Sequence, residues 1–134
     1  MIKGINHIAI AVPDLELAIR RFAEDFGLSV ADVEDVPIVR TRTAFFPVEN
    51  TQVELVSPLD GEGAIAKFLE TRRGGLHHIC FRTDDIHGDV ERLKEKGYEF
   101  TTESPHTGAH GSLVIFIHPR TCDGLLVELC QPKS

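Results

Sequence analysis

The feature that most constrains this chain is that its second half repeats its first. Residues Ile5-Asn6-His7-Ile8-Ala9-Ile10 lead to Asp14-Leu15 and an amphipathic stretch closed by Gly27. Residues Leu76-His77-His78-Ile79-Cys80-Phe81 lead in the same way to Asp85-Ile86 and a stretch closed by Gly97. Histidine and aspartate both recur after 71 residues, and the second amphipathic stretch is one residue shorter. Val53-Glu54-Leu55 then recurs as Val127-Glu128-Leu129. A repeat of this length is one supersecondary unit used twice. The order within each half, a strand with a histidine, a helix, then strands ending in one with a glutamate, predicts an α+β fold of two tandem βαβββ modules. We expect one domain over 1–134, with modules at 1–60 and 76–134 and a short connecting helix within 61–75.

Periodicity supports these elements. Leu15, Ala18, Ile19, Phe22, Ala23 and Phe26 form one apolar face at helical spacing, with Asp14 as N-cap and Gly27 as stop. Ile86, Val90 and Leu93 do the same after Asp85, and Ala64 to Arg73 reads as a helix with Ile65, Phe68 and Leu69 inward. Strands are expected near 4–12, 41–48, 51–57, 76–83, 112–118 and 124–130. Pro47 should sit at a sheet edge or beside the Glu49-Asn50 turn, because proline cannot donate to a ladder.

Composition narrows the function. The net charge of −7 over 134 residues argues against non-specific binding to nucleic acid. No apolar run approaches the roughly 20 residues of a membrane span, and the N-terminus enters a strand without a signal-peptide pattern. Cys80, Cys122 and Cys130 are odd in number with no CxxC spacing. Cys80 and Cys130, inside apolar strand-like runs, read as buried reduced thiols of a cytoplasmic protein (or of the mitochondrial matrix, had a presequence been removed).

The chemistry lies in the repeated polar residues. Alternation places His7, Ala9 and Ala11 on one face of the first strand, with Ile8 and Ile10 on the other. Glu54 and Glu128 each stand between apolar neighbours, which is costly for a carboxylate without compensation. Two halves related by a pseudo-twofold would bring His7, Glu54, His78 and Glu128 towards one point. Two imidazoles and two carboxylates suit one divalent ion, Co, Zn, Ni, Mn or Fe, with positions left for substrate. His77 points to the opposite face from His78. His87, His106, His110 and His118 are expected at loops or strand ends.

The whole pattern resembles the vicinal-oxygen-chelate superfamily, and within it most resembles the methylmalonyl-CoA epimerase family. The residues that carry this are Asn6-His7-Ile8-Ala9-Ile10-Ala11-Val12-Pro13-Asp14-Leu15, Asn50-Thr51-Gln52-Val53-Glu54-Leu55 and Gly74-Gly75-Leu76-His77-His78-Ile79-Cys80. More specific are Gly108-Ala109-His110-Gly111, His118-Pro119 and Gly124-Leu125-Leu126-Val127-Glu128-Leu129. The resemblance implies a cupped mixed sheet around a metal held by His7, Glu54, His78 and Glu128, usually in a homodimer. It also implies an acyl-CoA or related thioester substrate, whose α-proton leaves to give a metal-stabilised enolate.

Two departures from the family pattern stand out. Where the family reads roughly Val-Pro-Glu-Gln-Gly-Val, this chain has Val36-Pro37-Ile38-Val39-Arg40-Thr41, so Ile38 takes the place of a proposed acid/base glutamate. Ser112-Leu113 replaces a common Lys-Pro. We therefore expect Glu128 and Glu54 to act as the catalytic bases, with Arg40 and Arg42 either facing a substrate anion or lying on a solvated strand edge. The alternatives are a lactoylglutathione lyase of glyoxalase I type, another enzyme on an acyl-thioester or 2-oxo substrate, or a protein that only sequesters a ligand.

Overall fold

A computed structural model describes all residues, Met1–Ser134. It contains eight strands and three α-helices: β1 (Ile2–Ala11), α1 (Leu15–Arg20), β2 (Asp32–Val36), β3 (Thr41–Val48), β4 (Thr51–Pro58), α2 (Ala64–Thr71), β5 (Gly75–Thr83), α3 (Ile86–Glu95), β6 (His106–Thr107), β7 (Leu113–Ile117) and β8 (Val127–Gln131). The fold is α+β, and each half has the order βαβββ. Strands β2 and β6, the second strand of each half, had no clear signal: β2 is the acidic Asp32-Val33-Glu34-Asp35-Val36, and β6 has two residues. No helix is long and apolar enough to cross a membrane.

The chain divides into two compact units, one of His7–His77 and one of Met1–Asn6 with His78–Ser134, so β1 contributes to both. In the first, β1 pairs in parallel with β4, β4 antiparallel with β3, and β3 antiparallel with β2. In the second, β5 pairs in parallel with β8, β8 antiparallel with β7, and β7 antiparallel with β6. Pro47 lies past the end of β2, whose pairing with β3 stops at Phe45, so its missing N–H costs no ladder bond.

Each unit has a helix against one face of its sheet. Asp14 caps α1 by accepting from Leu17 N at 3.1 Å, and Asp85 caps α3 by accepting from Gly88 N at 3.1 Å. Leu15 and Ala18 of α1 pack on Ala44, Phe46 and Leu55, with Ile10, Ile19 and Phe22 around them. Ile86 and Val90 of α3 pack on Ile115 and Leu129, with Phe81, Leu93 and Phe100. One expectation fails here. Phe26 is 61% exposed rather than inward. Past Arg20 the helix continues as a π-turn over Arg21–Asp25, and Phe26 N bonds Arg21 O five residues back. The wider turn, with more residues per turn, sets the phase back and swings Phe26 off the apolar face.

On the opposite face of the first sheet, Ile65, Phe68 and Leu69 of α2 cover Ala11 and Val56. The chain leaves α2 through Gly74 at φ 144°, where an added Cβ would stand 2.9 Å from Ala11 O, so only glycine fits. In the second unit Asp89 is buried and bonded by Thr83 Oγ1, with Arg92 donating at 3.1 Å. Burial pushes its carboxyl upward, but hydrogen bonds from Thr83, Arg92 and the terminal amine outweigh that and leave its pKa below the ordinary value.

Two outcomes follow. Phe46→Ala should cost about 3–5 kcal/mol in denaturant unfolding, whereas Ile38→Ala, at a side chain 91% exposed, should stay within about 0.5 kcal/mol of wild type. Because the Asp89 pKa is depressed on folding, its contribution is present above the unfolded carboxylate value, about 3.9. It is lost as pH falls through the still lower folded value. Unfolding curves at pH 7 and pH 3 should therefore show Asp89→Asn clearly less stable than wild type at the higher pH, with the gap narrowed at the lower.

Candidate metal and acid/base site

The site residues come from the strands that open and close each half. In the first unit the parallel register sets Ala9 opposite Glu54, so His7 lies two residues before the partner of Glu54 and on the same face. The second unit repeats this: Cys80 stands opposite Glu128, and His78 lies two residues before Cys80. The helices α1 and α3 cover the other faces, so each histidine and glutamate leaves the sheet on the side away from its helix.

This register makes two matching pairs. His7 Nδ1 is 3.2 Å from Glu54 Oε2, and His78 Nε2 is 3.1 Å from Glu128 Oε1. All four side chains are 10–15% exposed. A phenylalanine stands across the strand from each carboxylate, Phe45 opposite Glu54 and Phe116 opposite Glu128. Phe116 also meets the His78 ring edge-on, with centroids 5.4 Å apart. These apolar walls lower the local dielectric and raise the cost of an uncompensated carboxylate.

The donor chemistry and spacing fit a divalent ion. Ligands each about 2.1 Å from one ion and at right angles stand roughly 3 Å apart. Each imidazole–carboxylate pair already has that separation.

The remaining candidates fall elsewhere. Ile38 sits in a 3-10 turn over Pro37–Val39 with its side chain almost wholly in solvent. Arg40 follows at φ 53°, in the place where the related pattern has glycine. Both arginines are engaged by carboxylates on the surface. Arg42 donates to both Asp35 oxygens, at 2.6 and 3.1 Å, and Arg40 pairs with Glu62. Both guanidinium groups are about half exposed. His77 packs edge-on against Phe68, with centroids 5.1 Å apart. His106 and His118 lie in a short strand and at a turn, His118 accepting from Arg120 N at 3.2 Å. His87, expected in a loop or at a strand end, is instead inside α3, because the helix begins directly at its Asp85 cap.

Sequence reasoning missed Phe45, Phe116 and the orientation of Cys80. The two phenylalanines are themselves 71 residues apart, so extending the repeat would have found them. None of the three cysteines is bridged to another.

The Glyoxalase/Bleomycin resistance protein/Dioxygenase superfamily matches residues 6–116, and the chain belongs to it. It is 45% identical over 134 residues to the ethylmalonyl-CoA/methylmalonyl-CoA epimerase of Cereibacter sphaeroides, covering 98% of this chain and 99% of that protein. Identity to the human mitochondrial methylmalonyl-CoA epimerase is 42%, over 95% of this chain and 73% of the relative. Among solved structures, Streptomyces coelicolor methylmalonyl-CoA epimerase in complex with 2-nitronate-propionyl-CoA superposes with a TM-score of 0.91 at 28% identity, covering 100% of both chains. Likeness to lactoylglutathione lyases is weaker, at 26–28% identity.

If the pairs bind metal, removing one imidazole should weaken uptake sharply. His7→Ala and His78→Ala should each retain far less Co²⁺ after dialysis than wild type by elemental analysis, whereas His87→Ala should match wild type.

Proposed function

We propose that this protein is a metal-dependent epimerase that takes the α-proton of methylmalonyl-CoA and returns one to the other face of the carbon. The observation that carries this reading is the twice-repeated, largely buried imidazole–carboxylate pair, in a chain whose full-length relatives are epimerases of acyl-CoA thioesters. His7, Glu54, His78 and Glu128 together would hold one divalent ion, Co, Zn, Ni, Mn or Fe. Such an ion, when bound, supplies Lewis-acid polarisation of the thioester carbonyl and so acidity at the adjacent C–H.

The chain's own groups do the rest. Inversion needs one group to accept a proton and another to deliver one on the opposite face. Ile38 can do neither. Glu128 is assigned as one acid/base and Glu54, from the other module, as its partner. The imidazoles of His7 and His78 fix the carboxylate orientations through their 3.1–3.2 Å contacts. Phe45 and Phe116 line the carboxylates and keep water from them. The reading includes an acyl-CoA substrate, a homodimer and a cytoplasmic setting that keeps the cysteines reduced. The likeness to epimerases at 42–45% identity favours them over glyoxalase-type lyases, and the complete donor set favours an enzyme over a sequestering protein.

The test is proton exchange by NMR. Metal-loaded protein in deuterated water should remove the C2 proton signal of methylmalonyl-CoA, and a chelator-treated sample should not. Absence of exchange from the metal-loaded protein would overturn the assignment. Glu128→Gln should lower turnover by about 10²–10⁴-fold under metal concentrations at which the variant is still loaded, and near-normal turnover would remove Glu128 from its role.

A further inference from the structure

The donor face of the second unit carries one chemical group that the four-ligand reading leaves unused. Cys80 follows His78 by two residues on β5, so both side chains leave the same face. It stands directly opposite Glu128 in the β5–β8 register, and it is 0% exposed. Its Sγ lies within 4.8 Å of a Glu128 carboxylate oxygen. The matching position in the first unit, opposite Glu54, is Ala9, which offers no ligand atom. The two halves agree in histidine and glutamate and differ here by one soft donor.

We propose that Cys80 is a further metal-facing ligand, so that the second unit presents carboxylate and thiolate side by side. The protein then takes soft ions such as Cd²⁺, and Zn²⁺ or Co²⁺, in preference to Mn²⁺. The inference rests on the metal-site reading above. Thiolate selects for softer ions, while oxygen and nitrogen donors alone discriminate weakly. Coordination exchanges the thiol proton for the metal and releases one proton to solvent. Cys130 is the internal control. It leaves β8 on the same face and packs with Cys80 and Val114, but it stands opposite Arg82, one step further along the strand from His78.

The experiment is a Co²⁺ titration of chelator-stripped full-length protein, followed by calorimetry and by near-ultraviolet absorption. Wild type and Cys130→Ser should bind Co²⁺ and develop a thiolate-to-cobalt charge-transfer band. Cys80→Ser should bind Co²⁺ without that band, and its ratio of Cd²⁺ to Mn²⁺ affinity should fall by at least about tenfold. Cys80→Ala, which copies the residue at position 9, provides a second variant should serine disturb folding. Co²⁺ binding by wild type without the band, or a band that survives loss of Cys80, overturns the role of Cys80 and leaves the four-ligand reading standing. Failure of wild type to bind Co²⁺ at all overturns both.

Discussion

The chemistry of this protein depends on the register of one parallel strand pair in each unit. Setting Ala9 beside Glu54, and Cys80 beside Glu128, places a histidine two residues back on the same face as the glutamate. A slip of one residue in either pair would turn the glutamate into the helix-packed core. There it would lose the imidazole and meet Leu15 and Phe46 in one unit, or Ile86 and Ile115 in the other. The register is held because the alternate residues, Ile10 and Leu55 or Phe81 and Leu129, have nowhere else to be buried. The hydrophobic effect that fixes the helix side of each sheet thus also sets the polar side.

That division explains how a carboxylate can sit in an apolar strand. Glu54 and Glu128 are nearly buried beside phenylalanines, which on its own would be destabilising. Each is compensated by an imidazole at hydrogen-bonding distance, and the pair keeps the geometry of two neighbouring ligands. The surface charges are handled differently. Arg42 with Asp35, Arg40 with Glu62 and Arg120 with Glu99 are exposed ion pairs, worth little to stability but sufficient to occupy the guanidinium groups.

Much of this was legible before any coordinates. The recurrence of His7 and His78, Asp14 and Asp85, and Glu54 and Glu128 identified two copies of one module, and helical periodicity placed α1, α2 and α3. Strand β2 was not legible, because an acidic edge strand has neither alternation nor an apolar run; it forms because its backbone completes the ladder of β3. The π-turn that exposes Phe26 has no signature in a pattern that reads as an unbroken helix. The ion-pair partners of Arg40 and Arg42 depend on which carboxylates lie within reach, and pattern carries no information on that.

The sequence by itself determined the repeated module, its capped helices and the identity of the polar residues set into apolar strands. It could do so because repeats, periodicity and buried-charge anomalies are local properties of the chain. Only the tertiary structure decided which residues face one another across strands: that each histidine meets its glutamate at 3.1–3.2 Å, that Phe45 and Phe116 wall the carboxylates, and that Cys80 stands beside Glu128. Those relations depend on strand register, which is chosen by the packing of the whole unit rather than by any short stretch of residues.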